Sequence, residues 1–190
     1  METEKQTAKE LYSWLRTLVC VSLGMVLLFT FVLRLIRVDG ESMRETLQDG
    51  DILVAVSRYL AGDLEQGDIV IVRDAYFKDG QPIVKRVIAT EGQTVDIDFE
   101  TGIVYVDGQA LDEPYTREPT YQEEGTEFPL TVPEGELFLL GDNRNNSEDS
   151  RSAELGTVEE QCLLGKAVFL LFPGKDADTQ QRDFSRLGGI

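Results

Sequence analysis

A chain of 190 residues and 21.3 kDa has room for one domain and a short appendage. With 42% hydrophobic and 28% charged residues it is neither a disordered tail nor a polytopic membrane protein, and with no histidine and only Cys20 and Cys162 it cannot build a Ser-His-Asp triad, a Cys-His dyad, a zinc cluster or a disulfide framework. The net charge is −17, and beyond residue 37 there are 13 basic against 32 acidic residues, a net of −19. That surplus reads as solubility and leaves no basic stripe for nucleic acid.

The first predicted element is an apolar run, Thr17 to Leu33, seventeen residues without a charge. As a helix it spans about 25 Å, and snorkelling Arg16 and Arg34 extend its reach. The run exits through Arg-Leu-Ile-Arg-Val-Asp-Gly-Glu with no Ala-x-Ala-like site, so a retained anchor over 17–37 is expected rather than a cleaved leader. Residues 1–16 would lie on one side of the membrane and 38–190 on the other. Basic residues flank the run on both sides, so the charge rule for orientation is weak here.

Beyond Asp39 short β-branched runs alternate with Gly, Pro and Asp. Strands are expected at Asp51–Val56, Asp68–Arg73, Pro82–Thr90, Thr94–Asp98, Ile103–Val106, Glu136–Leu140 and Lys166–Phe172. Asp107-Gly108 reads as a tight hairpin turn, and Asp112–Pro133 as a long excursion. The soluble part is therefore expected to be mainly β, built from antiparallel sheets.

Three stretches could carry chemistry. In Gly40–Leu47, Gly-Glu-Ser-Met-Arg-Glu-Thr-Leu, Ser42 lies nine residues past Leu33 and so within about 30 Å of the membrane surface; alone it reads as a turn residue. In Pro82–Thr90, strand alternation puts Lys85 on a face with Ile83, Val87 and Ala89. Burial there would lower its pKa and make it a base, whereas an edge lysine would snorkel to water. The third, Gly141–Arg151, reads Gly-Asp-Asn-Arg-Asn-Asn-Ser-Glu-Asp-Ser-Arg. A calcium loop fails because Arg144 occupies a ligand position and Ser147 the required glycine. Asn145-Asn146-Ser147 fits a glycosylation sequon only weakly, and a polar surface loop or an ion-paired scaffold remains.

Taken in order, the apolar anchor, Ser-Met-x-x-Thr-Leu, Gly67-Asp68-Ile69-Val70, Lys-Arg-Val-Ile-Ala-x-x-Gly and Gly-Asp-Asn-Arg-x-x-Ser-x-Asp-Ser-Arg resemble the bacterial type I signal peptidases, a family of membrane-bound Ser-Lys proteases. The resemblance covers essentially the whole chain. It implies the antiparallel β-sheet signal-peptidase fold preceded by one N-terminal transmembrane helix. It also implies Ser42 as nucleophile, Lys85 as general base and Ser147 as the hydroxyl that orients the Lys85 amine. Arg86, Asp142, Asn143, Arg144, Asp149 and Arg151 would be the supporting scaffold. No cofactor is implied. The expected partners are preproteins carrying signal peptides, cut after Ala-x-Ala-like sites, together with the lipid bilayer and contact with the secretion machinery. The catalytic domain is expected outside the cytoplasm.

The chemistry of the residues agrees, because without histidine a desolvated lysine is the base that a serine hydroxyl can use. The oxyanion would need fixed N–H donors. Family members often carry a hydroxyl two positions before the nucleophile; here that position is Gly40, which leaves the backbone N–H of Ser42. The chain also departs from the family pattern in carrying Glu45 where proline is usual and Gln93 where aspartate is usual. Those changes put substrate range in question more than reaction type, and a paralogue specialised for pilin-like proteins would fit. A self-cleaving repressor of Ser-Lys type is opposed by the anchor and the acidity. A catalytically idle anchored β-domain would have no use for Ser42, Lys85 and Ser147 together.

Overall fold

The computed structural model describes residues 2–190. Met1 and the side chains of residues 2–8, Lys5 among them, lie outside the described residues. A helix, α1 (Glu2–Leu27), widens over Leu28–Val32 and leads into twelve strands. In chain order these are β1 (Leu33–Arg37), β2 (Ile52–Ser57), β3 (Ile69–Val72), β4 (Ile83–Thr90), β5 (Thr94–Asp98), β6 (Ile103–Val106), β7 (Gln109–Ala110), β8 (Leu130–Thr131), β9 (Glu136–Leu140), β10 (Val158–Glu159), β11 (Leu163–Phe172) and β12 (Gly188–Gly189).

The apolar helical stretch Lys9–Val32 is 24 residues, about 36 Å at helical rise, and long enough to cross a bilayer. None of it is buried, and Trp14, Leu18 and Phe31 are among its exposed side chains. The anchor was expected to run to residue 37, but the structure gives Leu33–Arg37 to β1. From Leu33 (φ −113°, ψ 148°) the backbone is extended. The strand pairs antiparallel with β2 from Leu33↔Val56 to Arg37↔Ile52, so Arg34 belongs to the sheet rather than to the helix end.

The strands form two antiparallel sheets. The larger runs β1-β2-β11-β3-β4-β9-β10, with β12 on the far end of β11; the smaller runs β7-β6-β5-β8. The bounds of β5, β6 and β9 are those expected from the sequence, and β2, β3 and β4 lie within one residue of expectation. β11 begins three residues early, and β1 and the two-residue strands were not anticipated. Two residues are too few to show an alternation. At the β6–β7 turn both Asp107 (φ 51°) and Gly108 (φ 76°) are left-handed, as a two-residue Asp-Gly hairpin requires.

Apolar faces meet in three clusters. One gathers Leu53, Ala55, Ile71, Val84 and Leu170 with Val38, Met43 and Leu47, so the turn carrying Ser42 is pinned into the core on both sides of that serine. A second joins Val70, Val72, Val87, Leu137, Leu139 and Val158 within the larger sheet. The third places Ile88, Phe138 and Leu140 of the larger sheet against Val95, Ile97, Val104 and Val106 of the smaller. β4 is buried along both faces, which is what sets the environment of Lys85.

Candidate active site

Lys85 sits at the middle of β4, opposite Val70 of β3, and is 1% exposed. The strand is buried on both faces around it and is flanked by β3 and β9, so the amine has no route to water of the kind an edge lysine would use. Its Nζ lies 2.7 Å from Ser42 Oγ. Burial lowers the Lys85 pKa from 10.5 to about 8; the Asp149 carboxylate acts in the opposite direction, and the Lys78 ammonium lowers it further. An amine with a pKa near 8 has a substantial neutral fraction at physiological pH and can accept a proton.

Ser42 is half-buried in the turn between β1 and β2. Local hydrogen bonds close that turn, Arg44 N to Glu41 O and Leu47 N to Met43 O, while Met43 and Leu47 anchor it in the core. Gly40 (φ 93°) starts the turn and its N–H donates to Asp49 Oδ1 at 3.0 Å. The Ser42 N–H donates to no protein group among the described residues. The turn also holds Glu45 at φ 91°, in the left-handed region, where the family pattern would put a proline fixed near −65°.

The loop after β9 closes the site from the other side. A Cβ on Gly141 would lie 2.2 Å from Ser147 Oγ and 2.5 Å from Ser42 O, so only glycine allows this approach. Asn143 then donates from its backbone to Ser42 O (3.0 Å) and from its amide to Glu41 O (3.0 Å). Asp142 receives a fork from Arg86, Nε to Oδ1 at 2.8 Å and Nη2 to Oδ2 at 2.6 Å, and accepts the Thr46 hydroxyl at 2.5 Å. Thus the strand carrying Lys85 is tied through its next residue to the turn carrying Ser42.

Asp149 and Arg151 are fully buried and form a second fork, at 2.8 and 2.9 Å. Asp149 also accepts the Gly141 N–H, and Arg151 donates to the carbonyls of Arg144 and Ser147, so the pair shapes the loop from inside. Arg144 pairs with Glu113 and donates to Thr120 and the Gly141 carbonyl. Charged groups buried at this depth are tolerable only because each is paired and hydrogen-bonded.

All nine residues singled out in the sequence are brought together, with one difference. Ser147 is 7% exposed, yet its hydroxyl has no hydrogen-bond partner among the described residues, so the contact expected between it and the Lys85 amine is not made. Its Oγ instead faces the Gly141 backbone. Sequence reasoning missed Thr46, Glu113, Tyr115 and Thr120. Tyr115 stacks 4.0 Å from the Arg86 guanidinium, and burial pushes its phenol pKa up. No local spacing or alternation marks Glu113, which meets the buried Arg144 from within the excursion 112–133. A cleft of about 500 Å³ opens beside the dyad, lined in part by Gly40, Ser42, Gln122, Glu124 and Ser147.

Comparison with known proteins finds relatives of the chain. The family described as signal peptidase, peptidase S26, matches residues 11–172. A signal peptidase I of Bacillus licheniformis is 35% identical over 184 residues, spanning 91% of this chain and 96% of its own. A probable signal peptidase I-1 of Synechocystis sp. is 38% identical over 165 residues, 82% and 80% of the two chains. The crystal structure of a signal peptidase I from Enterococcus faecalis V583 is 32% identical, covering 54% of this chain and 95% of its own, with a TM-score of 0.45.

Proposed function

Because the chain belongs to the signal peptidase family of peptidase S26, a family of serine peptidases, we propose that it removes signal peptides from exported preproteins at the membrane surface through a Ser42–Lys85 dyad. The observation that carries the reading is the buried Lys85 amine 2.7 Å from the Ser42 hydroxyl.

In this mechanism the neutral amine accepts the Ser42 Oγ proton as Oγ attacks the scissile carbonyl carbon. The oxyanion so formed takes the free N–H of Ser42 as a donor. Lys85, now an ammonium, returns the proton to the departing amine of the mature protein, leaving an ester on Ser42. It then accepts a proton from the water that hydrolyses the ester and passes it to Ser42 Oγ as the acyl bond breaks, which restores both groups, and the freed signal-peptide acid loses its remaining proton to solvent. Asp142, Arg86 and Thr46 keep the two halves of the dyad in register, while Asn143 fixes the Ser42 carbonyl. Ser147, close by and unpartnered, has its hydroxyl free to turn towards the amine once substrate has entered. The preference for Ala-like residues at −1 and −3 of the substrate comes from the family resemblance.

The exposed apolar helix anchors the chain in the bilayer in a single pass, with residues 1–16 cytoplasmic and the β domain outside, within reach of the secretion machinery and of preproteins still in the membrane. Protease added to intact spheroplasts should digest the β domain; complete protection would reverse the orientation. The function itself is tested by incubating the purified protein in detergent with an Ala-x-Ala preprotein and mapping the cut. Cleavage after the second alanine by the parent, and none by Ser42→Ala, is expected. Absence of cleavage by the parent would overturn the reading.

A further inference from the structure

Residues 173–190 lie beyond the family match, which ends at residue 172, yet they return to the nucleophile turn. A Cβ on Gly174 would lie 2.0 Å from Asp49 O and 2.8 Å from Asp51 N, so the C-terminal segment runs directly against the end of that turn. Asp51 is fully buried, and its carboxylate gathers donors from both sides. Gly174 N and Arg186 Nη1 reach Oδ1 at 2.5 and 3.2 Å, while Gln48 N and Arg186 Nη2 each reach Oδ2 at 2.8 Å. Arg186 Nη2 also donates to the Thr46 carbonyl at 3.0 Å. Gln48 Nε2 to Asp176 and the Arg44–Asp178 pair add contacts, but Asp178 is 75% exposed and that ion pair contributes little.

Thr46 is the connection to the chemistry. Its carbonyl is held by Arg186, and its hydroxyl donates to Asp142, the carboxylate forked by Arg86 beside Lys85. Only three residues separate it from Ser42. The turn between them has no sheet partner and contains the left-handed Glu45, so its position depends on the grip at its far end as well as on Met43 and Asn143.

We propose that Arg186 is a positioning residue for the proposed reaction: by bridging buried Asp51 and the Thr46 carbonyl, the C-terminal segment clamps the nucleophile turn so that Ser42 Oγ stays within reach of Lys85. The inference rests on the reading of Ser42 as the nucleophile. It extends that reading to a part of the chain outside the family match, and it separates holding the turn from merely folding the domain.

The test uses the full chain in detergent, cleaving an Ala-x-Ala preprotein, with kcat, KM and thermal unfolding measured for each variant. Displacing a nucleophile by a fraction of an ångström should cost about tenfold in kcat for Arg186→Ala, with KM within about twofold of the parent. Its Tm should fall, because Asp51 is left buried and unpaired. Arg186→Lys, which keeps one cation but not the fork, should recover part of kcat. The decisive protein is Asp51→Asn/Arg186→Ala. Removing the stranded charge should restore Tm while kcat stays low, because nothing then holds the Thr46 carbonyl. Recovery of kcat together with Tm would make Arg186 merely structural and overturn the proposal. So would a parental kcat in Arg186→Ala, or a loss confined to KM. With the parent active and Ser42→Ala inactive in the same assay, those outcomes sink the clamp and leave the assignment of Ser42 standing.

Discussion

Lys85 and Ser42 meet at 2.7 Å but are held in opposite ways. Lys85 is on a central strand with hydrogen-bonded neighbours on both sides, β3 and β9, and is 1% exposed. Ser42 is on an irregular turn, held by two apolar pins, Met43 and Leu47, and by polar contacts from the 141–151 loop and the C-terminal segment. The proposed base is thus placed by the backbone ladder, which forms with the fold itself. The proposed nucleophile is placed by side chains from distant parts of the chain. Substitutions around the base should therefore be read mainly in stability, and substitutions around the nucleophile mainly in rate.

The largest expected effect treats the two halves alike. Ser42→Ala and Lys85→Ala should each lower preprotein cleavage by about a thousandfold or more, and the double variant should be little worse, since a dyad fails as a unit. Residual activity of more than a few per cent in either single variant would break the pairing. Next comes the bridge between them. Asp142→Ala strands the Arg86 guanidinium at 8% exposure and should cost about 3 kcal/mol in denaturant unfolding, together with a clear loss of kcat. A rate loss without a stability loss would show that this pair does not tie the strand to the turn.

The third expected effect sharpens the contrast, because it should separate stability from activity. The folded-state pKa of Lys85, about 8, lies below its ordinary 10.5. Below pH 8 the cost of burying the amine is fully present. It fades as pH rises through that window, where the unfolded chain keeps a proton that the folded chain has lost, and it is gone above 10.5. Lys85→Met should thus be inactive yet more stable near pH 7 by about 1–3 kcal/mol, an advantage that shrinks towards pH 10. A less stable Lys85→Met would mean that the amine is not buried at a cost. The smallest effect concerns the turn. Glu45→Gly relieves a left-handed φ and should stabilise by about 0.5–1 kcal/mol, whereas Glu45→Pro cannot adopt φ 91° and should destabilise. Thermal unfolding of both variants decides it, and equal stability would show that the turn adapts.

The difference between strand and turn also explains what the sequence disclosed. β4 could be read from Ile-Val-Lys-Arg-Val-Ile-Ala-Thr, because alternation and β-branching are local, and so could the consequence for a lysine in its midst. The Gly141–Arg151 loop was legible as a motif, and its one internal ion pair, Arg151 with Asp149, joins residues close in sequence. Glu113 and Arg186 were not legible. Each acts across a long separation, 31 residues to Arg144 and 135 to Asp51, and each sits in a segment with no periodicity to mark it. Leu33–Arg37 was assigned to the anchor because a hydropathy run does not show where a helix gives way to a strand. Leu-Arg-Leu-Ile-Arg is only five residues long and breaks alternation at Ile36, so no period of two marks β1.

The account turns on a desolvated lysine acting as base, and the most direct measurement is the pH dependence of kcat/KM for cleavage of an Ala-x-Ala preprotein. The rate should rise with pH through a single ionisation near 8 and then level off, since only the neutral amine accepts the serine proton. A rate that climbs only towards pH 10.5, as for an ordinary charged lysine, or one that does not respond to pH between 7 and 9, would contradict it.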